Sequence, residues 1–156
     1  MIEPRVLFVC LGNICRSPLA EAAFRRETEV RGLAIGADSA GTGDWHVGSP
    51  PDRRAQAEAR RHGIDISGYR ARQVGAGDFH RFTHILALDH ANLSDLRLIA
   101  PSDATATLSL LLDHVEGRHG QSVADPYFGD DGGFAQTWRD VSTAAVALAT
   151  EFASVR

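Results

Sequence analysis

The chain is predicted to fold as a three-layer α-β-α structure around a four-stranded parallel sheet, and three observations lead there. Short apolar runs alternate with stretches of helical spacing, the pattern of βαβ units. The first run, Val6-Leu7-Phe8-Val9, has no polar break, as a buried strand requires. The turn that follows it leads through Ser17-Pro18 directly into a helical pattern. At 156 residues and 44% apolar content, the chain fits a single domain spanning 1–156 with a sizeable core.

Residues 5–9 form the first predicted strand. The first helix is expected to start at Ser17 as N-cap with Pro18 in its first position, its apolar residues Leu19, Ala22, Ala23, Val30 and Leu33 keeping roughly helical spacing. Residues 37–40 are a short second strand, and Gly41 and Gly43 open the loop after it. Residues 51–62, rich in Arg and Ala, read as a helix stopped by Gly63. A short helix is expected at 78–82. A third strand follows at 83–88, with Asp89 placed to cap the next helix. The fourth strand is expected within 105–112. Residues 129–133 read as a loop before a long last helix at about 134–152, whose start Asp130 and Asp131 favour electrostatically.

Composition narrows the function classes. A formal charge of −4 offers no long-range attraction to nucleic acid or an acidic membrane. All sixteen basic residues are Arg, scattered along the chain, which reads as genomic composition. Residues 1–5 lack the basic and apolar regions of a secretory signal, and no run approaches the ~18 apolar residues of a membrane span. Two cysteines five apart enclose too small a loop to staple a fold and suit a reducing compartment. The expectation is a cytoplasmic monomer. No metal or cofactor is expected, since the seven His show no ligand spacing and Cys10 and Cys15 lack a partner cluster.

The chemistry concentrates on the first turn. Cys10 ends the buried strand and Arg16 stands six residues on, at the start of the helix. A cysteine at a strand end can be a small buried hydrophobe. The neighbouring Arg shifts the balance, because a cation at the positive end of a helix macrodipole is unfavourable unless an anion sits between them. Guanidinium supplies a planar fork for two phosphate oxygens, and the turn aims backbone N–H groups at one point. Thiols at helix N-termini or beside Arg are the ones that ionise readily. Gly12 permits close backbone approach, and Asn13 tolerates the left-handed conformation of a tight cradle. Ser17 can cap the helix, hold the Cys10 sulfur, or do both. A nucleophile inside an anion cradle reads as phosphoryl-transfer chemistry. The missing Gly-Lys-Ser/Thr ending speaks against a nucleoside-triphosphate loop.

The segment Val9-Cys10-Leu11-Gly12-Asn13-Ile14-Cys15-Arg16-Ser17-Pro18 resembles the signature of the low-molecular-weight protein tyrosine phosphatases. The likeness continues through Ser39-Ala40-Gly41-Thr42, Ala71-Arg72-Gln73, Asp78-Phe79, Ile85-Leu86-Ala87-Leu88-Asp89 and Asp125-Pro126-Tyr127-Phe128-Gly129. It implies Cys10 as nucleophile, Arg16 as phosphate clamp and Asp125 as general acid. From the residues alone, Asp125-Pro126 reads as a turn. Leu11, Gly12, Asn13, Ile14, Cys15 and Ser17 become the phosphate-binding loop. Trp45, Tyr127 and Phe128 fall where the family walls its substrate pocket; without the resemblance they read as core.

The resemblance thus implies hydrolysis of phosphotyrosine in protein substrates through a cysteinyl-phosphate, releasing inorganic phosphate. Relatives acting on phosphoarginine carry Thr where Ile14 stands, so Ile14 favours an aryl substrate. Cys15 reads either as buried filler or as a thiol able to trap oxidised Cys10. Asp89 reads chiefly as a cap that the resemblance places near the loop. Tyr69 or Arg70 occupies the region where many relatives have a His bracing the loop Asn, so a tyrosine hydroxyl braces Asn13 or the brace is absent. Ala124 and Phe128 stand where other relatives carry Pro and a second Tyr. Two rivals have distinct requirements. Arsenate reductase shares the scaffold but normally needs cysteines beyond Cys15; a non-catalytic phosphopeptide-binding module needs neither nucleophile nor acid.

Overall fold

In the computed structural model, which describes residues 3–154 and Asp131 by its backbone alone, the central element is the strand β1 (Arg5–Cys10). It pairs in parallel with β2 (Gly36–Gly41) on one side and β3 (His84–Ala87) on the other. A fourth parallel strand, β4 (Thr107–Leu110), completes the order β2-β1-β3-β4. The helices are α1 (Arg16–Val30), α2 (Arg53–Arg61), α3 (Asp78–Arg81), α4 (His90–Ile99) and α5 (Asp131–Ser154).

Alternation along β1 divides the core into two layers. Val6, Phe8 and Cys10 face α1, α2 and α5, where Phe24, Leu148 and Phe152 pack. Leu7 and Val9 face α3 and α4, against Phe79, Leu93 and Leu96. The chain therefore has the three-layer α-β-α architecture expected of it. β1 is buried on both faces, which is why its sequence is an unbroken apolar run. No helix among the described residues is long and apolar enough to cross a membrane.

Several boundaries differ from the sequence reading, each for a local reason. α1 begins at Arg16 with Cys15 as its cap residue, and Cys15 makes no side-chain capping bond. Ser17 is thus already helical, its hydroxyl engaged with the loop, and Pro18 sits in the first turn, where its missing N–H has no intrahelical acceptor to lose. The helix stops at Val30, short of Leu33. Gly32 turns at φ +68° while its N–H reaches Glu29 O and that of Leu33 reaches Thr28 O, a Schellman closure. The same closure at Gly63 ends α2, and Asp52 caps its start by accepting from Arg54 N–H.

β4 is shorter than the expected 105–112. The N–H groups of Thr105 and Ala106 both turn to Phe79 O. Beyond Leu110 the Asp113 carboxylate accepts the Leu110 N–H at 3.1 Å and winds residues Leu111–His114 into a 3₁₀ turn. α5 starts at Asp131, before the expected Phe134, so part of the 129–133 loop is helical.

Candidate active site

The carboxyl ends of parallel strands are where open α/β sheets gather ligand sites, and Cys10 stands at the end of β1. After it the chain curls through Leu11–Cys15 into α1. Asn13 takes φ +58°, the one non-glycine residue described with a positive value. That twist lets the Asn13 N–H point back at the Cys10 sulfur, 3.3 Å away. Ser17 Oγ lies 3.0 Å from the same sulfur. Two hydrogen-bonding groups thus converge on a thiol that is 3% exposed.

Close backbone packing holds the loop. A Cβ added at Gly41 would lie 2.7 Å from Leu11 O and 3.2 Å from Asn13 N. Glycine at the end of β2 is therefore what lets the loop lie against the sheet. Thr42 N–H donates to Cys10 O, Gly43 N–H to Leu11 O and Asp52 N–H to Ile14 O, so the loop is tied to its neighbours at both ends.

The brace on Asn13 is present but is not a tyrosine. Its Oδ1 accepts the Arg72 N–H at 3.0 Å, and its Nδ2 donates to Ser17 Oγ at 2.8 Å and Ser39 Oγ at 3.0 Å. Ser39 in turn donates to Glu21 at 2.8 Å, and Glu21 binds Arg25 at 2.7 Å. Tyr69 sits instead beside this Glu21–Arg25 pair, its hydroxyl pushed up to about 12 chiefly by burial and then by the Glu21 charge. Arg72 is itself anchored by Asp78 through two contacts of 3.0 and 3.1 Å. Burial pushes the Asp78 carboxyl up, but hydrogen bonds from Arg72, Gly75 N–H and Arg81 outweigh it and hold the group below its usual range.

Arg16 is buried at the mouth of the same loop. One of its terminal nitrogens, Nη1, donates to Asp89 Oδ2 at 2.8 Å and to Val123 O at 2.9 Å, while Nη2 lies 3.6 Å from Asp125 Oδ2. Asp89 divides its oxygens. Oδ1 caps α4 by accepting Asn92 N–H at 2.7 Å, and Oδ2 fixes the guanidinium. The capping reading was therefore half of its role. Asp125 is held in a tight turn by accepting Tyr127 N–H at 3.0 Å, and its side chain is 43% exposed.

These groups open onto one cavity of about 190 Å³. Its lining contains Cys10, Leu11, Gly12, Ile14, Cys15, Arg16 and Asp125 at the base, with Trp45, Tyr127 and Phe128 as walls. Asn13 and Ser17 support it from below. Of the residues expected at the site, all but Asn13 and Ser17 line this cavity, and the three aromatics line the opening rather than the core. One lining residue was missed. His46 contacts the loop closely enough that a Cβ on Gly12 would stand 3.0 Å from its ring. Both cysteines are free thiols, and Cys15 is pushed up by burial first and the Asp52 charge second, so it stays protonated at neutral pH.

The family model described as low molecular weight phosphotyrosine protein phosphatase matches residues 5–155. The chain belongs to that family. It is 49% identical over 125 residues to the low molecular weight protein-tyrosine-phosphatase YfkJ of Bacillus subtilis, covering 79% of this chain and 80% of that one. The crystal structure of YfkJ superposes with a TM-score of 0.91 at 41% identity, covering 100% and 98% of the two chains. A Drosophila arginine phosphatase has the same architecture, with a TM-score of 0.89 at 32% identity over 94% of this chain and 96% of that one.

Proposed function

We propose that this chain hydrolyses phosphotyrosine in protein substrates through a phosphorylated Cys10. The observation that carries the reading is the convergence of Asn13 N–H and Ser17 Oγ on a buried sulfur, with Arg16 and Asp125 in the same cavity. In the thiolate form, Cys10 attacks phosphorus in line with the ester oxygen. The S–P bond forms as the P–O bond to tyrosine breaks, and Asp125 gives its proton to the departing phenolate. Water then attacks the cysteinyl-phosphate. Asp125, now a carboxylate, takes the water's proton, and inorganic phosphate leaves with Cys10 regenerated as thiolate.

The remaining residues hold this chemistry in place. The loop's backbone N–H groups other than that of Asn13, together with the Arg16 fork, meet the equatorial oxygens, where charge stabilisation must be preorganised to be effective. Asp89 and Val123 O occupy Nη1 of the guanidinium and fix its plane. Ser17 and Asn13 stabilise the sulfur as it leaves in the second step. Ile14 and the Trp45, Tyr127 and Phe128 walls make the opening apolar and suited to an aryl group. A short phosphoserine stem would not span such walls to the sulfur.

The general-acid assignment has its own signature. Asp125→Asn is expected to lower kcat by about 10²–10³-fold for aryl phosphates with poor phenolic leaving groups, and far less for good ones. A plot of rate against leaving-group acidity, nearly flat in the wild type, should become steep. Equal losses across the series would remove Asp125 from that role. Ile14 likewise predicts an order of substrates. In competition, phosphotyrosine peptide should be consumed well ahead of phosphoarginine and phosphoserine peptides. Consumption of phosphoarginine first would assign the chain to the second substrate class.

A further inference from the structure

A cavity of about 580 Å³, three times the volume of the catalytic one, lies on the exposed side of α2. Its lining includes Arg53, Arg54, Arg60 and Arg61, with Ala57 between them and Phe134 of α5 as an apolar wall. These positions follow helical spacing, so they share one face of α2. Four guanidinium groups on one short helix are notable in a chain of net charge −4. The positive field here is local.

The four are not equivalent. Arg54 pairs with Asp52, and Arg61 pairs with the buried Glu58. The side chains of Arg53 and Arg60 make no hydrogen bond or ion pair among the described residues, and feel Asp52 and Asp65 respectively only through space. They stand seven residues apart, two helical turns, or about 10 Å along the axis. Acidic side chains two or four residues apart in an extended peptide share one face, about 7 or 13 Å apart, a range that brackets this spacing.

The groove adjoins the catalytic cavity through one residue. The Arg54 guanidinium sits 5.6 Å from the Tyr127 ring centroid and 4.7 Å from that of Phe134, and donates to Tyr127 O at 3.0 Å. Tyr127 walls the catalytic opening, and Arg54 lines the groove. A polypeptide leaving the opening past Tyr127 therefore crosses Arg54 and meets Arg53 and Arg60 next.

We propose that this groove docks acidic residues flanking the phosphorylated side chain of a protein substrate, with Arg53 and Arg60 as the receiving cations. The inference rests on the phosphatase reading and adds a substrate preference to it. Exposed guanidinium–carboxylate contacts are individually weak, so the preference is modest and sensitive to salt.

The test uses three phosphotyrosine peptides: one with neutral flanks, and two carrying a pair of Glu two residues apart, before the phosphotyrosine in one and after it in the other. At low ionic strength one acidic peptide should exceed the neutral one in kcat/KM by about fivefold, through KM. The advantage should fade at high salt and vanish in Arg53→Gln/Arg60→Gln. Turnover of a small aryl phosphate should be unchanged in that variant. Binding of the same peptides to Cys10→Ser protein gives the ratio without turnover, so loss of the phosphatase reading and loss of the docking site are told apart. Equal values for all three peptides, or a preference that survives the double substitution, would overturn the proposal. So would binding to anionic phospholipid vesicles that depends on Arg53 and Arg60 with no peptide preference.

Discussion

Cys10→Ser is expected to reduce turnover of an aryl phosphate by about 10⁴–10⁶-fold, the scale on which nucleophile removal acts in enzymes with a covalent intermediate. The fold should persist. Cys10 is largely buried at the end of β1, at the base of the cavity, and serine occupies less volume while keeping a group able to bond Ser17 Oγ and Asn13 N–H. Binding of inorganic phosphate should therefore survive, because the Arg16 fork and the loop N–H groups that would hold it are untouched. Competitive inhibition measurements on the wild type and calorimetry on the variant make the comparison. Loss of turnover together with loss of phosphate binding would indicate a collapsed loop instead of a missing nucleophile.

Arg16→Lys is the second large effect, about 10³-fold in kcat. Lysine keeps the charge but presents a single point, whereas Arg16 uses one nitrogen on Asp89 and Val123 O and keeps the rest of a planar group toward the cavity. An ammonium cannot satisfy Asp89 and two phosphate oxygens with that geometry. The loss should appear mainly in kcat, with KM changing much less, because the bidentate contact tightens as charge builds on the equatorial oxygens. A variant with unchanged kcat would show that Arg16 serves only the Asp89 pair and the loop's stability.

Much of this was legible in the chain because it depends on local sequence. The unbroken run of β1, the Gly63 helix stop and the Asp89 cap are short-range features, and the cradle between β1 and α1 is continuous in sequence. What failed was decided by contacts between distant segments. Ser17 looked like a cap, but the loop claims its hydroxyl through Cys10 and Asn13, so the helix starts one residue before it. Residues 105–106 and 111–112 lay inside the expected strand, yet Phe79 O and the Asp113 carboxylate take their backbone out of the sheet.

The Asn13 brace was missed for the same reason. Ser39 reaches the loop only because β2 pairs beside β1 with Ser39 opposite Phe8, and Arg72 only because its segment bridges to Gly41. A signal existed in Glu21. An acid four residues after Ser17, on the face of α1 that packs inward, must find buried partners, and it finds Ser39 and Arg25. His46 carried no comparable signal beyond its place next to Trp45.

The covalent step can be observed directly. Rapid acid quenching during turnover of an isotopically labelled aryl phosphate, followed by peptide mapping, should find phosphate on the sulfur of Cys10, formed in an initial burst with one equivalent of phenol. Labelled phosphate on any other residue, or phenol and phosphate released together with no labelled protein at the earliest times, would contradict a cysteinyl-phosphate and with it the account given for this cavity.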